Sequence, residues 1–288
     1  MAITTFIPTI WSARLLAHLD NAHVATQFVN RDYEGEIKNA GDTVKINQVG
    51  AVTVKDYTKN SDIDDPEALT TTDQTLTINQ AKYFNFQVDD VDAVQAKAPL
   101  MDASMQRAAY GLAEVSDKFL FSTIASAAKT GATIGTAAAP TALTADNMYE
   151  QIVALKVLMD KANIPTQGRK LAVPPEAHAL LLKDQRFVGT GGAQAETNLQ
   201  NGLIGRTAGF DIYLSNNLPT GIGTDAAKTP YTKLIATHSL ATTYAEQILK
   251  TEAYRMESRF ADGVKGLHVY GAKVLQADAV AVLLGSFS

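Results

Sequence analysis

"YTKNSDIDDPEALTTTDQTLTINQ", residues 57–80, decides how the whole chain is read. It is polar and acidic, with Asp62, Asp64, Asp65 and Glu67 around Pro66. Loops this long and polar are functional or disordered. The flanks favour function, because apolar residues alternate on both sides, the mark of strands. Before it, Gly41-Asp42 leads into Val44 and Ile46, and Val52 and Val54 follow Gly50. After it come Leu76 and Ile78, then Phe84, Phe86 and Val88. Two arms of about 15 residues with a polar tip predict an extended hairpin, ~50 Å long at ~3.3 Å per residue. A two-stranded ribbon alone in water is marginal, so this one needs a surface to lie on.

Working outward, Pro99 to Lys129 is the longest helical pattern, with Met101, Met105, Ala108, Leu112, Val115 and Phe119 on one stripe. Such a helix is ~45 Å long, close to the ~50 Å width of a compact domain of this size. It therefore reads as a spine crossing the whole body. Upstream, Trp11, Leu15, Leu19 and Ala22 predict a helix over 10–29, with Pro8 before it. Downstream, "TGATIGTAAAPTALT" (130–144) is a small-residue connector. Thr144 or Asp146 is then placed to cap a helix carrying Met148, Ile152, Leu155 and Met159. A strand over Lys170–Val173 and a helix opened by Pro174-Pro175 follow. "FVGTGGAQAETNLQNGLIG" (187–205) is a second long loop. Phe210, Ile212 and Leu214 predict a strand, as do Leu234–Ala236. Ser239 is read as the cap of a helix through Gln247, and the chain after Thr251 as strands ending in a buried one over Ala279–Leu284. Helices and strands in this order make an α+β fold.

Composition narrows the function. At 288 residues, 46% hydrophobic and 19% charged, the chain is ordinary globular material. Without cysteine it has no disulfide, thiol nucleophile or cysteine-ligated zinc. Met1–Trp11 lacks the charge and apolar run of a signal peptide, and Ala277–Leu284 is too short to cross a bilayer, so no membrane partner is expected. The net charge of −5 gives no global attraction for nucleic acid. His18, His23, His178, His238 and His268 are scattered and form no metal-binding motif. "GTGGAQ" (189–194) lacks the lysine of a phosphate loop. Asp62, Asp64 and Asp65 lack the glycine and distal glutamate of a calcium loop. Asp89, Asp90 and Asp92 read as acids leading into a helix. No catalytic residue, cofactor or metal is expected.

What remains is an order of shapes: leading helix, long hairpin, spine helix, α+β body. That order resembles the major capsid protein of tailed bacteriophages, the Hong Kong 97-type capsid fold. "RKLAVPPEAHALLLKDQRF" (169–187), "GLIGRTAGFDIYLSNNLP" (202–219) and "ESRFADGVKGLHVYGAKVLQADAVAVL" (257–283) are similar to segments of such coat proteins. The resemblance implies an N-terminal arm over 1–40, an extended loop over 41–88, and a spine helix with peripheral domain over 89–130. An axial domain and the remaining peripheral strands fall to 131–288. It implies a non-enzymatic subunit that self-assembles, as hexamers and pentamers, into an icosahedral virion shell around double-stranded DNA in the bacterial host cytoplasm. A portal and a decoration protein are expected partners. The chain leaves no room for the founding member's long N-terminal scaffolding segment, so a separate scaffolding protein, or none, is expected. Val52, Lys55, Lys59, Asp62, Asp64, Asp65, Glu67 and Leu76 are the expected intersubunit contacts, with the apolar hairpin face including Val44 and Phe84 packing on a neighbour. Lys45, Lys55 and Lys82 guard against edge pairing. Arg14, Arg31, Lys38 and Arg107 are the expected DNA-facing cations, in weak nonspecific contact. An encapsulin-like protein nanocompartment of related fold is the alternative, and an α+β enzyme with spatially convergent residues a more distant one.

Overall fold

A computed structural model describes residues 24–32, 43–49, 52–57, 59, 60, 62, 65, 67, 68, 71–89, 100–184, 205–258 and 260–287. The described residues form three sheets, two of which pack on one long helix. The largest is a mixed eight-stranded sheet of β4 (Thr133–Ile134), β5 (Thr141–Leu143), β6 (Arg169–Val173), β7 (Arg206–Thr207), β8 (Phe210–Leu214), β9 (Thr220–Ile222), β10 (Pro230–His238) and β13 (Val280–Phe287). Its main path runs β4-β13-β10-β6-β8-β7. Period-two alternation buries both faces. Leu171, Val173, Leu234, Ala236, Ala281 and Leu283 face helices α2 (Met148–Lys161) and α3 (Pro175–Lys183). Ala172, Ile235, Val282 and Leu284 face the other way, onto the spine helix.

That helix, α1 (Leu100–Ser126), has 27 residues and is ~40 Å long. Its two halves meet different partners. Leu120, Phe121, Ile124 and Ala125 pack on the eight-stranded sheet. Met105, Ala109, Leu112 and Ala113 pack on Val264, Phe84 and Phe86 of a three-stranded antiparallel sheet. This second sheet runs β11-β12-β3, from Thr242–Arg255, Ala261–Val274 and Gln80–Asp89. Gly266 of β12 is required here, because a Cβ would lie 2.4 Å from the Phe84 ring.

The third sheet is the hairpin of β1 (Thr43–Val49) and β2 (Thr71–Thr77), paired from Thr43↔Thr77 to Val49↔Thr71. Its base lies on the face of the three-stranded sheet opposite α1. Val44, Ile46, Leu76 and Ile78 meet Ala245 and Val269 there. Gly271 permits the approach: a Cβ would stand 2.4 Å from the Thr77 carbonyl oxygen and 3.0 Å from the Ile78 Cα.

Several expectations change. The paired arms have 7 residues each rather than about 15, and are ~23 Å long at ~3.3 Å per residue. Val52 and Val54 follow the alternation but not the pairing, since the register ends at Val49. Phe84, Phe86 and Val88 belong to β3, which pairs with β12 rather than with β1. On α1, Val115 faces solvent and the buried line runs through Ser116 and Asp117 instead, where the helix passes from the three-stranded to the eight-stranded sheet and Asp117 meets segment 24–32. Ser239 opens a single 3-10 turn, not a helix to Gln247. Thr242–Arg255 is a strand because β12 pairs along its full length, and tertiary pairing overrides local propensity. Asn147 occupies the position at the start of α2 and accepts from the Thr144 N–H, so neither Thr144 nor Asp146 caps. Ala25–Phe28 is a 3-10 turn rather than the end of an α-helix, and residues 10–23 lie outside the described set.

Candidate assembly surfaces

The hairpin divides sharply. Its base is core: Leu76 is 0% exposed in its own chain. Val44 and Leu76 therefore pack on their own β11 and β12 rather than on a neighbour, and Phe84 packs toward its own α1. Beyond Val49, residues 52–57 lie in no helix or strand, and Val52 is 61%, Val54 94% and Tyr57 73% exposed. Lys55, Lys59, Asp62, Asp65 and Glu67 are exposed around the tip, while Asp64 lies outside the described residues. Glu67 crosses to the ascending limb, accepting from the Thr53 N–H at 3.2 Å and the Thr53 hydroxyl at 3.3 Å. Lys45 and Lys82 are exposed along the strands.

Other apolar groups are left in solvent. Tyr110 and Val115 stand on the outer side of α1, and Phe260 sits in the β11–β12 turn. Tyr83 projects from the sheet face that carries the hairpin base, beside an open trough of about 440 Å³ lined with Asn85, Glu252, Lys265 and Leu267. Sequence patterning does not single these out, because an isolated aromatic reads the same whether a strand or a partner covers it. Of the cations expected to face DNA, Arg107 is exposed on α1, and Arg14 and Lys38 lie outside the described residues. Arg31 is engaged by the protein itself, as follows.

Segment 24–32 crosses between α1 and the two larger sheets, fastened along its length. Buried Asp117 of α1 accepts from the Val24 and Ala25 N–H groups at 3.1 and 3.2 Å. Phe28 inserts between Phe121 and Tyr213, edge-on to both. The Lys170 ammonium donates to the Gln27 carbonyl, and burial lowers its pKa. The Asn30 N–H donates to the Thr242 carbonyl, and the Asn30 carbonyl accepts from the Tyr244 N–H. Finally Arg31 donates to Glu246 at 2.8 Å.

Glu246 is the centre of a buried polar cluster that sequence reasoning missed. Its Oε2 accepts from the Tyr244 hydroxyl at 2.8 Å and lies 3.0 Å from His268 Nε2. The His268 ring is 5.0 Å from that of Tyr270. Burial pushes the Tyr270 hydroxyl up to about 12 and, with the Glu246 charge, holds the Tyr244 hydroxyl well above its ordinary value. The available signal was periodicity. Tyr244 and Glu246, and His268 and Tyr270, are each two apart in strands, so each pair shares a face.

Among the described residues no group of three acids and histidines is placed to hold a metal ion. His238 is engaged by the backbone: its Nε2 lies 2.9 Å from the Gln167 carbonyl and its Nδ1 accepts from the Leu240 N–H.

Comparison with known proteins follows this geometry. A family model described as phage capsid protein matches residues 72–283. A chain of Mycobacterium phage Che8 is 31% identical, with 91% of this chain and 90% of that one covered at a TM-score of 0.70. The capsid of cyanophage P-SCSP1u is similar at 16% identity, over 91% of this chain and 87% of that one, with a TM-score of 0.70. A virus-like particle from Pyrococcus furiosus is similar at 13% identity, over 98% of this chain and 100% of that one, with a TM-score of 0.60. The last two are alike in fold alone. No curated protein matches the chain.

Proposed function

The chain belongs to the phage capsid protein family, a shell-forming capsid protein of a tailed phage with the Hong Kong 97-type fold, and on that premise we propose how its surfaces build the shell. The observation that carries the proposal is the hairpin limb: Val52, Val54 and Tyr57 stand in solvent above a base that is fully packed. Exposed apolar groups clustered on one element mark a contact site, and a limb anchored at its base is preorganised to reach a neighbouring copy. Residues 1–40 form the arm, the hairpin is the extended loop, α1 is the spine, the three-stranded sheet is peripheral and the eight-stranded sheet is axial. The shell is icosahedral, made of hexamers and pentamers, and encloses double-stranded DNA. It assembles in the bacterial cytoplasm with a portal, a scaffolding protein and a decoration protein, and the subunit performs no catalysis.

The limb residues bury against the neighbour, and Lys55, Lys59, Asp62, Asp64, Asp65 and Glu67 set orientation by pairing with opposite charges there. Leu76 acts indirectly, by anchoring the limb. Arg107, with Arg14 and Lys38, meets DNA weakly; Arg31 joins them only when it leaves Glu246. Each surface pair is worth only ~0.2–1 kcal/mol, but every interface in the shell repeats it. The test is the triple change Asp62→Ser, Asp64→Ser and Asp65→Ser. Lower particle yield and lower salt tolerance are expected by electron microscopy and light scattering; unchanged particles sink the charge-pairing role.

A second reading is a nanocompartment filled with protein, since the fold is shared by a virus-like particle from Pyrococcus furiosus matched over its whole length and a fold alone does not fix what the shell encloses. Nuclease-protected nucleic acid in purified particles supports the first reading. A co-purified protein cargo in its place supports the second.

A further inference from the structure

We propose that segment 24–32 is an exchangeable strap, seated in a peptide-binding groove of the subunit body that takes the same segment of a second copy by the same contacts. The groove is made by α1, β6, β8 and β11, from residues 92 to 215 positions away along the chain. Those walls are held independently of the strap. β11 pairs with β12 from Thr242 to Arg255, β6 lies between β10 and β8, and α1 rests on both larger sheets. β11 is also the edge of its sheet, and a sheet edge recruits extended chains.

The strap meets the groove as a peptide meets a receptor. Asn30 pairs in parallel with Thr243 of that edge, through its N–H to the Thr242 carbonyl and its carbonyl to the Tyr244 N–H. The Asp117 carboxylate takes the Val24 and Ala25 amides, and so reads backbone rather than side chains. Phe28 fills the slot between Phe121 and Tyr213, and Arg31, three residues on, meets Glu246. Main-chain bonds with one aromatic and one charged anchor are a recurring way to bind an extended peptide. None of these contacts depends on which copy brings the segment. The chain forms a shell, which keeps copies side by side at high effective concentration. Exchange of an identical element keeps every contact and costs little. Residues 33–42 join the strap to β1, and ten residues reach at most ~35 Å.

The chain has no cysteine, so introduced thiols read the exchange. Asn30→Cys and Thr243→Cys chains, one thiol each, are mixed, assembled and oxidised. Covalent dimers on a non-reducing gel are expected, in at least tenfold greater yield than from particles of either variant alone. An equal yield from a single variant marks random collision and overturns the proposal. The double variant, with both thiols in one chain, shows whether the pair can close. If it closes within the chain while mixed particles give no dimer, the strap stays with its own copy and exchange is overturned. Should the double variant not close, or the chains not assemble, a labelled peptide of residues 24–32 is titrated against the full Phe28→Ala chain, whose own strap has lost its aromatic anchor. Binding at least tenfold tighter than to the unaltered chain is expected. Equal binding to both, or none to either, overturns the groove as a peptide site.

Discussion

Two stretches of one hairpin carry the same residue types and meet opposite fates. Val44 and Ile46 are 6% and 4% exposed, whereas Val52 and Val54 are 61% and 94% exposed. Both pairs are valine or isoleucine at period two, within a dozen residues of each other. The difference is what lies beneath. Under the base, β11 and β12 offer Ala245, Val269 and the bare backbone of Gly271. Past Val49, among the described residues, neither a strand partner nor a sheet of the same chain continues. Apolar alternation thus specifies that a face will be covered, but not by which copy. The base serves the fold of one subunit, and the limb stays exposed for the contact proposed between subunits.

Truncating the base should break this comparison most severely. Leu76→Ala removes a fully buried side chain and is expected to cost about 2–5 kcal/mol in denaturant unfolding of the full chain. Gly271→Val forces the hairpin off its seat, since even a Cβ stands 2.4 Å from the Thr77 oxygen. Loss of soluble folded chain is expected, judged by circular dichroism and gel filtration. A native-like Gly271→Val chain would mean that the hairpin base is not part of the subunit core.

The limb should behave in the opposite way. Val54→Asp with Tyr57→Ser changes exposed positions, so subunit unfolding should move by less than about 0.5 kcal/mol. Assembly, followed by light scattering, should be lost or need at least tenfold more protein, the factor given by ~1.4 kcal/mol per contact. If unfolding shifts and assembly does not, the limb belongs to the subunit's own fold and the division at Val49 is wrong.

The same contrast explains what the sequence made legible. The spine helix, α2 with Met148, Ile152, Leu155 and Met159, and the final strand were readable because their periodic faces are buried by their own chain. The length of the hairpin was misjudged because Val52 and Val54 extend the pattern without extending the pairing. The strand Thr242–Arg255 was misread in part because Ser239 looks like a cap, and only pairing with β12 at long range overrules it. The acidic tip was readable as charge, but its link from Glu67 back to Thr53 was not. The Glu246 cluster was hardest, since three of its members come from positions 31, 246 and 268, which only the folded sheet brings together.

The finest division is between limb and tip. Glu67→Gln keeps the shape but weakens the bonds to the Thr53 N–H and hydroxyl that tie the descending limb to the ascending one. Bonds to charged acceptors are stronger than neutral ones, yet this one is exposed and competes with water. Subunit unfolding should therefore not change measurably. The concentration at half-assembly should rise about two- to threefold, which corresponds to ~0.5 kcal/mol. A rise beyond tenfold would make Glu67 an anchor of the contact comparable with Tyr57. No rise at all would mean that the limb holds its direction without the tie, leaving the apolar residues to define the contact and the acids only its orientation.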